Sequence, residues 1–147
     1  MDIFNAMKIS SSGLSAQQLR MNVLSSNLAN AQATRGGPDG GPYRRQDVVF
    51  EAAPTSANPF EQMLDEAHGT QLTNVKVREI HSDPKPPRRV YEPSHPDADK
   101  DGYVSMPNIQ VMSEMVNMIA ATRAYEANTT ALNNAKQMAM KALEIGR

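Results

Sequence analysis

Prolines and glycines are concentrated in the middle of this chain. All ten prolines and six of the eight glycines fall between Gly36 and Pro107. The flanks, Met1 to Arg35 and Asn108 to Ile145, hold one glycine, Gly13, and no proline. Proline inside a helix removes a backbone donor and clashes with the preceding turn, so a stretch without it can stay helical without a break. The order is therefore helix, irregular middle, helix. This predicts a mainly α fold: two long terminal helices pairing as an antiparallel coiled coil, with a small β-rich irregular insert between them. Residues 1–35 and 108–147 are expected to form the terminal helical domain, and residues 36–107 the outer insert. Such a layout points to a part of an assembly more than to an enzyme.

The N-terminal flank has a countable pattern. Stepping by three and four from Ile3 gives Ile3, Met7, Ser10, Leu14, Gln17, Met21, Leu24, Leu28 and Ala31, and seven of these nine are apolar. That is heptad-like spacing. Ser10 and Gln17 weaken the seam near Gly13, so the first turns are expected to be the softer part. Asp2 is the candidate N-cap and Gly36-Gly37-Pro38 the expected stop. Leu19 and Val23 lie off the stripe, which implies more than one neighbour.

The C-terminal flank is stronger. Asn108 is the candidate N-cap and Gly146 the candidate C-terminal cap, with about 55 Å of unbroken helix between them at 1.5 Å per residue. One stripe runs Val111, Met115, Met118, Thr122, Tyr125, Thr129, Leu132. A second, mostly alanine, runs Ala121, Ala124, Asn128, Ala131, Ala135, Met138, Ala142, Ile145. One partner helix cannot cover two apolar faces. The ordinary explanation is a helical-bundle core, but the chain has only one other long helix, so packing against other chains is the better expectation.

In the middle, Asn58-Pro59-Phe60-Glu61 resembles a helix start, with Phe60, Met63, Leu64 and Ala67 on one face and Gly69 ending it. Tyr43 to Phe50, Asn74 to Ile80 and Gly102 to Met106 each suit a short strand. Asp83 to Pro96 holds five prolines and is expected to be extended and solvated.

Composition excludes several classes. Net charge is −1, so no overall field draws the chain to nucleic acid or an anionic membrane. Cysteine is absent, which removes disulfides and thiolate zinc sites. No apolar run reaches the roughly 20 residues that span a bilayer. Residues 1–30 lack the pattern of a cleavable secretory signal, so the expectation is a chain that is cytoplasmic or exported by a route without cleavage.

Chemistry-bearing groupings are weak. Asp97-Ala98-Asp99-Lys100-Asp101-Gly102 matches the first half of a calcium loop, but the twelfth position is Asn108 where a bidentate glutamate belongs, and no helix enters the loop. A turn is the better reading. His68, His81 and His95 lack metal-ligand spacing. Arg44-Arg45 and Lys85 to Arg89 are basic patches without interleaved aromatics, which favours a solvated or protein-facing role over nucleic acid. Ser10, Ser11 and Ser12 have no identifiable histidine–carboxylate partner. No catalytic site, metal site or cofactor is predicted.

Ser11-Ser12-Gly13-Leu14-Ser15-Ala16-Gln17, then Met21-Asn22-Val23 and Ser26-Asn27-Leu28-Ala29-Asn30-Ala31, closely resembles the N-terminal signature of flagellar rod and hook proteins. Gly41-Pro42-Tyr43-Arg44-Arg45-Gln46 and the run from Val90 to Asp99 narrow the resemblance to the proximal rod. Gly102-Tyr103-Val104, Met106-Pro107-Asn108, Arg123 to Asn128 and the ending Lys141 to Arg147 extend it over nearly the whole chain.

The resemblance implies a structural subunit of the bacterial flagellar basal body, in a rod that spans the periplasm and transmits torque. Such chains are exported by the flagellar type III apparatus without signal cleavage, then polymerise through their terminal helices. The implied partners are copies of itself, other rod proteins, the export apparatus and the membrane-ring adaptor, with no nucleic acid and no membrane span. The subunit-packing candidates are Ile3, Met7, Leu14, Met21, Leu24, Leu28 and Ala31 on the first helix. On the second they are Met115, Met118, Tyr125, Ala131, Leu132, Ala135, Met138, Ala142 and Leu143. Two rivals stand beside this expectation: a soluble coiled-coil adaptor or chaperone, and a calcium-regulated module using Asp97, Asp99 and Asp101.

Overall fold

A computed structural model describes residues 3–37, 40–54, 63 and 72–145. Among the described residues six elements follow in order: α1 (Ile3–Ala29), β1 (Gln46–Pro54), β2 (Thr73–Ser82), β3 (Arg88–Tyr91), β4 (Tyr103–Met106) and α2 (Val111–Ile145). The terminal segments are helical and small sheets lie between them in the chain, as the proline distribution predicts. The caps at Asp2 and Gly146, and the helix expected from Asn58 to Gly69 apart from Met63, lie outside the described residues.

Helix α1 stops at Ala29, short of the glycine–proline stop. The Asn30 N–H makes the last regular helical bond, to Ser26 O (3.0 Å), and its side-chain amide donates to the same carbonyl (2.9 Å). Ala31 N then reaches back only to Leu28 O (3.3 Å), the tight turn common at helix ends.

Two two-stranded sheets form, β1 with β2 and β3 with β4. Strand β1 begins at Gln46, three residues later than expected, and runs on to Pro54. Strand β3 arises inside the proline-rich run that was expected to be extended and solvated; it is extended, but paired. It pairs antiparallel with β4, Arg88 opposite Met106 and Tyr91 opposite Tyr103. The turn between them needs Gly102, whose φ is +78° and whose missing Cβ would sit 2.9 Å from the Tyr91 ring. Tyr91 and Tyr103 meet edge to face at 5.3 Å, and the Arg89 guanidinium lies 5.0 Å over the Tyr103 ring.

The chain divides into two compact units. The first comprises Met1–Leu19, Val49–Glu79 and Ala121–Arg147. Small residues make its interior: Ala16, Ala121 and Ala135 are buried. Gly13 lies against the Asn128 side chain, and a Cβ there would stand 3.1 Å from Nδ2. Ser12 Oγ donates to Ile9 O (2.7 Å) and accepts the Val75 N–H of β2 (3.1 Å). The serine–glycine run of the N-terminal motif thus provides close approach and a tie to a strand.

The second unit comprises Arg20–Val48 and Ile80–Ala120. Val23, Leu24, Val48, Val104, Pro107 and Ile109 form its apolar interior, with Asn27 and Glu114 buried among its polar groups.

Candidate functional site

The second unit is organised around Asn27, whose amide is completely buried and fully bonded. Nδ2 donates to Gln46 O (2.7 Å) and to Glu114 Oε2 (3.1 Å). Oδ1 accepts the Gln46 N–H (2.9 Å) and the Tyr43 hydroxyl (3.2 Å). An asparagine amide has two donors and one oxygen with two lone pairs, so no capacity is left over. By taking both backbone groups of Gln46, Asn27 acts as the partner strand for the first residue of β1. Tyr43 gives its one proton to Asn27, so Ser26 donates the 3.3 Å bond between their hydroxyls.

Glu114, in the first turn of α2, is 1% exposed. A buried carboxylate persists only when its oxygens are bonded. Arg45 Nε donates to Oε1 (2.7 Å), complementing Asn27 on Oε2. Arg45 also approaches Asp47 (3.3 Å). Burial acts to lower the Arg45 pKa, but Glu114 and then Asp47 outweigh it and hold the guanidinium above its ordinary value. The cluster Asn27–Tyr43–Arg45–Glu114 fastens the end of α1, the start of β1 and the start of α2 within one unit. Both oxygens of Glu114 and all of the Asn27 amide are engaged in ties between elements, so the arrangement is a structural fastening.

Asp97 forms a second tie. Its Oδ2 accepts from Thr34 Oγ1 (2.7 Å) and its Oδ1 pairs with Arg35. Asp99 pairs with Arg89 (3.6 Å), and the Asp97 N–H donates to His95 Nδ1 (3.1 Å). Two aspartates of the calcium-like sequence, Asp97 and Asp99, are therefore engaged within the protein. Among the described residues no group of three or more His, Asp or Glu could hold a metal ion.

The Thr34 hydroxyl first, and then Arg35, lower the Asp97 pKa. A folded-state value below the unfolded one stabilises the protein above the ordinary aspartate value of ~3.9, and this contribution is lost as pH falls through the lowered value. Thr34→Val is therefore expected to be less stable than the parent chain at neutral pH, with the difference shrinking below about pH 4. Urea unfolding at several pH values measures this. A difference constant down to pH 2 would remove Asp97 as its source.

The packing candidates from the sequence occupy three environments. Leu24 and Ala135 are buried. Ile3, Met7, Leu14, Met21 and Leu28 on α1, Ala31 in the turn beyond its end, and Met118, Tyr125 and Leu132 on α2 are half-buried. Met115, Ala131, Met138, Ala142 and Leu143 are exposed. Met112, Val116 and Ile119, which were not picked out, are 69%, 63% and 61% exposed beside Met115. The buried cluster was also missed. A signal for it existed: continuing the alanine stripe back one heptad from Ala121 lands on Glu114.

Long terminal helices and a buried polar fastening that ties three elements together suit a structural protein. Residues 7–36 match the family model described as flagella basal body rod protein, and residues 100–145 match the C-terminal model of flagellar basal body rod FlgEFG proteins. Asn27 falls in the first match and Glu114 in the second. The chain is 44% identical to the flagellar basal-body rod protein FlgC of Borreliella burgdorferi, over 99% of this chain and 98% of that one. It is 44% identical to FlgC of Yersinia enterocolitica and 42% to FlgC of Bacillus subtilis, each over the full length of both chains. The chain belongs to the FlgC family of flagellar basal-body rod proteins. It is a structural member of the basal body and not an enzyme.

Proposed function

We propose that this chain is a subunit of the proximal rod, exported without signal cleavage and polymerised with copies of itself and other rod proteins into the periplasm-spanning drive shaft. The observation that carries this reading is the exposed apolar stripe Met112, Met115, Val116 and Ile119 at helical spacing on α2. No described helix is long and apolar enough to cross a membrane. Fully burying one such side chain contributes about 1.5–3 kcal/mol, while association costs roughly 4–15 kcal/mol. One stripe alone therefore balances poorly. Several contacts made at once are required, which suits a subunit surrounded by neighbours.

In this reading residues 1–35 and 108–147 form the polymerising domain, with the helices paired as an antiparallel coiled coil, and residues 36–107 form the outer part. Two contacts support the pairing. Gly13 faces Asn128 and Asn27 faces Glu114, so the partner moves back along α2 by as many residues as one moves forward along α1. The membrane-ring adaptor and the export apparatus are further proposed partners.

The test is complementation of a strain lacking this chain. The parent gene is expected to restore swimming, whereas Leu28→Asp or Leu132→Asp is made at normal level but leaves cells non-motile. Normal swimming by both variants would refute the packing seam.

A further inference from the structure

The exposed apolar stripe on α2 contains two thioethers. Met112 and Met115 are 69% and 45% exposed, one turn apart, beside Val116 and Ile119. Three residues further along the same helix, Met118 is half-buried. Two turns of α2 thus present two methionines to solvent and hold back a third. The chain has ten methionines and neither cysteine nor tryptophan. No thiol competes, so exposed thioethers are the first groups that a peroxide meets.

The reaction is a two-electron oxygen transfer. The sulfur lone pair attacks one oxygen of hydrogen peroxide, the O–O bond breaks, and methionine sulfoxide and water are formed. Sulfur is oxidised, the peroxide is reduced, and no other reactant is needed. The product carries an acceptor oxygen and has become polar. Its neighbours on the stripe, Val116 and Ile119, have aliphatic side chains and offer it no donor. A sulfoxide carried into an apolar interface there is buried without a partner, which is costly. In the free chain the same oxygen stays in water, so the fold of the chain itself is hardly touched. Position on the helix therefore decides the effect: modification acts on the face that the chain presents and leaves its interior alone.

We propose that Met112 and Met115 are sites of reversible sulfoxidation by hydrogen peroxide, and that the modified stripe is not covered by a neighbouring chain until the sulfoxides are reduced. Reduction needs a sulfoxide reductase and two thiols, which become a disulfide while the oxygen leaves as water. The proposal rests on the reading of this stripe as an assembly face. Covering shields the thioethers, so the sensitive period ends when the chain is assembled.

Two experiments test it. The purified full chain is treated with hydrogen peroxide, and the gain of one oxygen at each methionine is followed by peptide mass spectrometry. Met112 and Met115 are expected to oxidise at least about fivefold faster than Met118, with the circular dichroism signal unchanged. Oxidation of Met118 as fast as Met112, or helix loss in step with the first oxygen gained, would overturn the proposal.

The second experiment uses the complemented strain, with the chain induced either during a brief peroxide pulse or well before it. Swimming is expected to fall about tenfold in the first case and to hold in the second. A strain carrying Met112→Leu with Met115→Leu is compared with its own untreated half, and its relative fall should be clearly smaller. Met112→Leu alone takes its place if the double variant does not swim. An equal relative fall would assign the loss to other damage and overturn the block to assembly. If removing the whole chain leaves swimming intact, the rod reading itself fails, while the order of oxidation still decides the modification sites.

Discussion

Replacing Glu114 with alanine is expected to remove about 3–5 kcal/mol of folding stability, the largest loss available from one side chain here. The carboxylate is almost fully buried and accepts from Arg45 at 2.7 Å and Asn27 at 3.1 Å. Its removal takes the acceptor from Arg45 Nε and from one Asn27 amide hydrogen, and leaves Arg45 only the 3.3 Å contact with Asp47. Domains of this kind are stable by only about 5–15 kcal/mol, so the variant approaches the unfolding threshold. The penalty comes from the partner left behind more than from the attraction lost. Arg45→Met combined with Glu114→Met is therefore expected to recover much of the deficit. Urea unfolding followed by circular dichroism measures both. A loss under about 1 kcal/mol for Glu114→Ala would show that solvent reaches Arg45 easily.

Leu24→Ala is expected to cost about 2–5 kcal/mol, through lost transfer energy and the cavity left behind. Leu24 is 2% exposed, one residue from buried Val23 and one turn from Asn27. Leu24→Met nearly conserves volume and should cost less than about 1.5 kcal/mol. Leu28 belongs to the same heptad pattern but is only half-buried, so Leu28→Ala should cost clearly less in the isolated chain. Equal costs for Leu24→Ala and Leu28→Ala would mean that α1 is rotated from the orientation described.

The helices were legible because their signals are local. Apolar periodicity and the absence of proline are properties of α1 and α2 themselves. Their ends were less so: past Asn30 the ladder tightens, with Ala31 N reaching Leu28 O, a change of hydrogen-bond partner that periodicity does not register. The start of β1 depends on a distant residue, since Asn27 supplies the hydrogen bonds that make Gln46 strand-like. Strand β3 was hidden by the prolines on both sides, and it exists because β4 and the Tyr91–Tyr103 contact lie opposite. The polar cluster was least legible. Asn27, Tyr43, Arg45 and Glu114 are ordinary surface residue types, and only the fold places them at bonding distance. The family resemblance had nevertheless passed through Asn27, Tyr43 and Arg45, so those motifs carried structural information before its cause was visible.

The placement of prolines at the sheets has a consequence for behaviour at high concentration. A two-stranded sheet exposes both outer edges, each a template on which a stray chain can add a strand. Here β3 is entered through Pro86-Pro87, β4 runs into Pro107 and β1 ends at Pro54. A proline at a strand terminus donates no hydrogen bond and shortens the run that a visitor can pair with. β3 and β4 are only four residues long. Copies crowded together therefore gain little by fusing along β3 and β4.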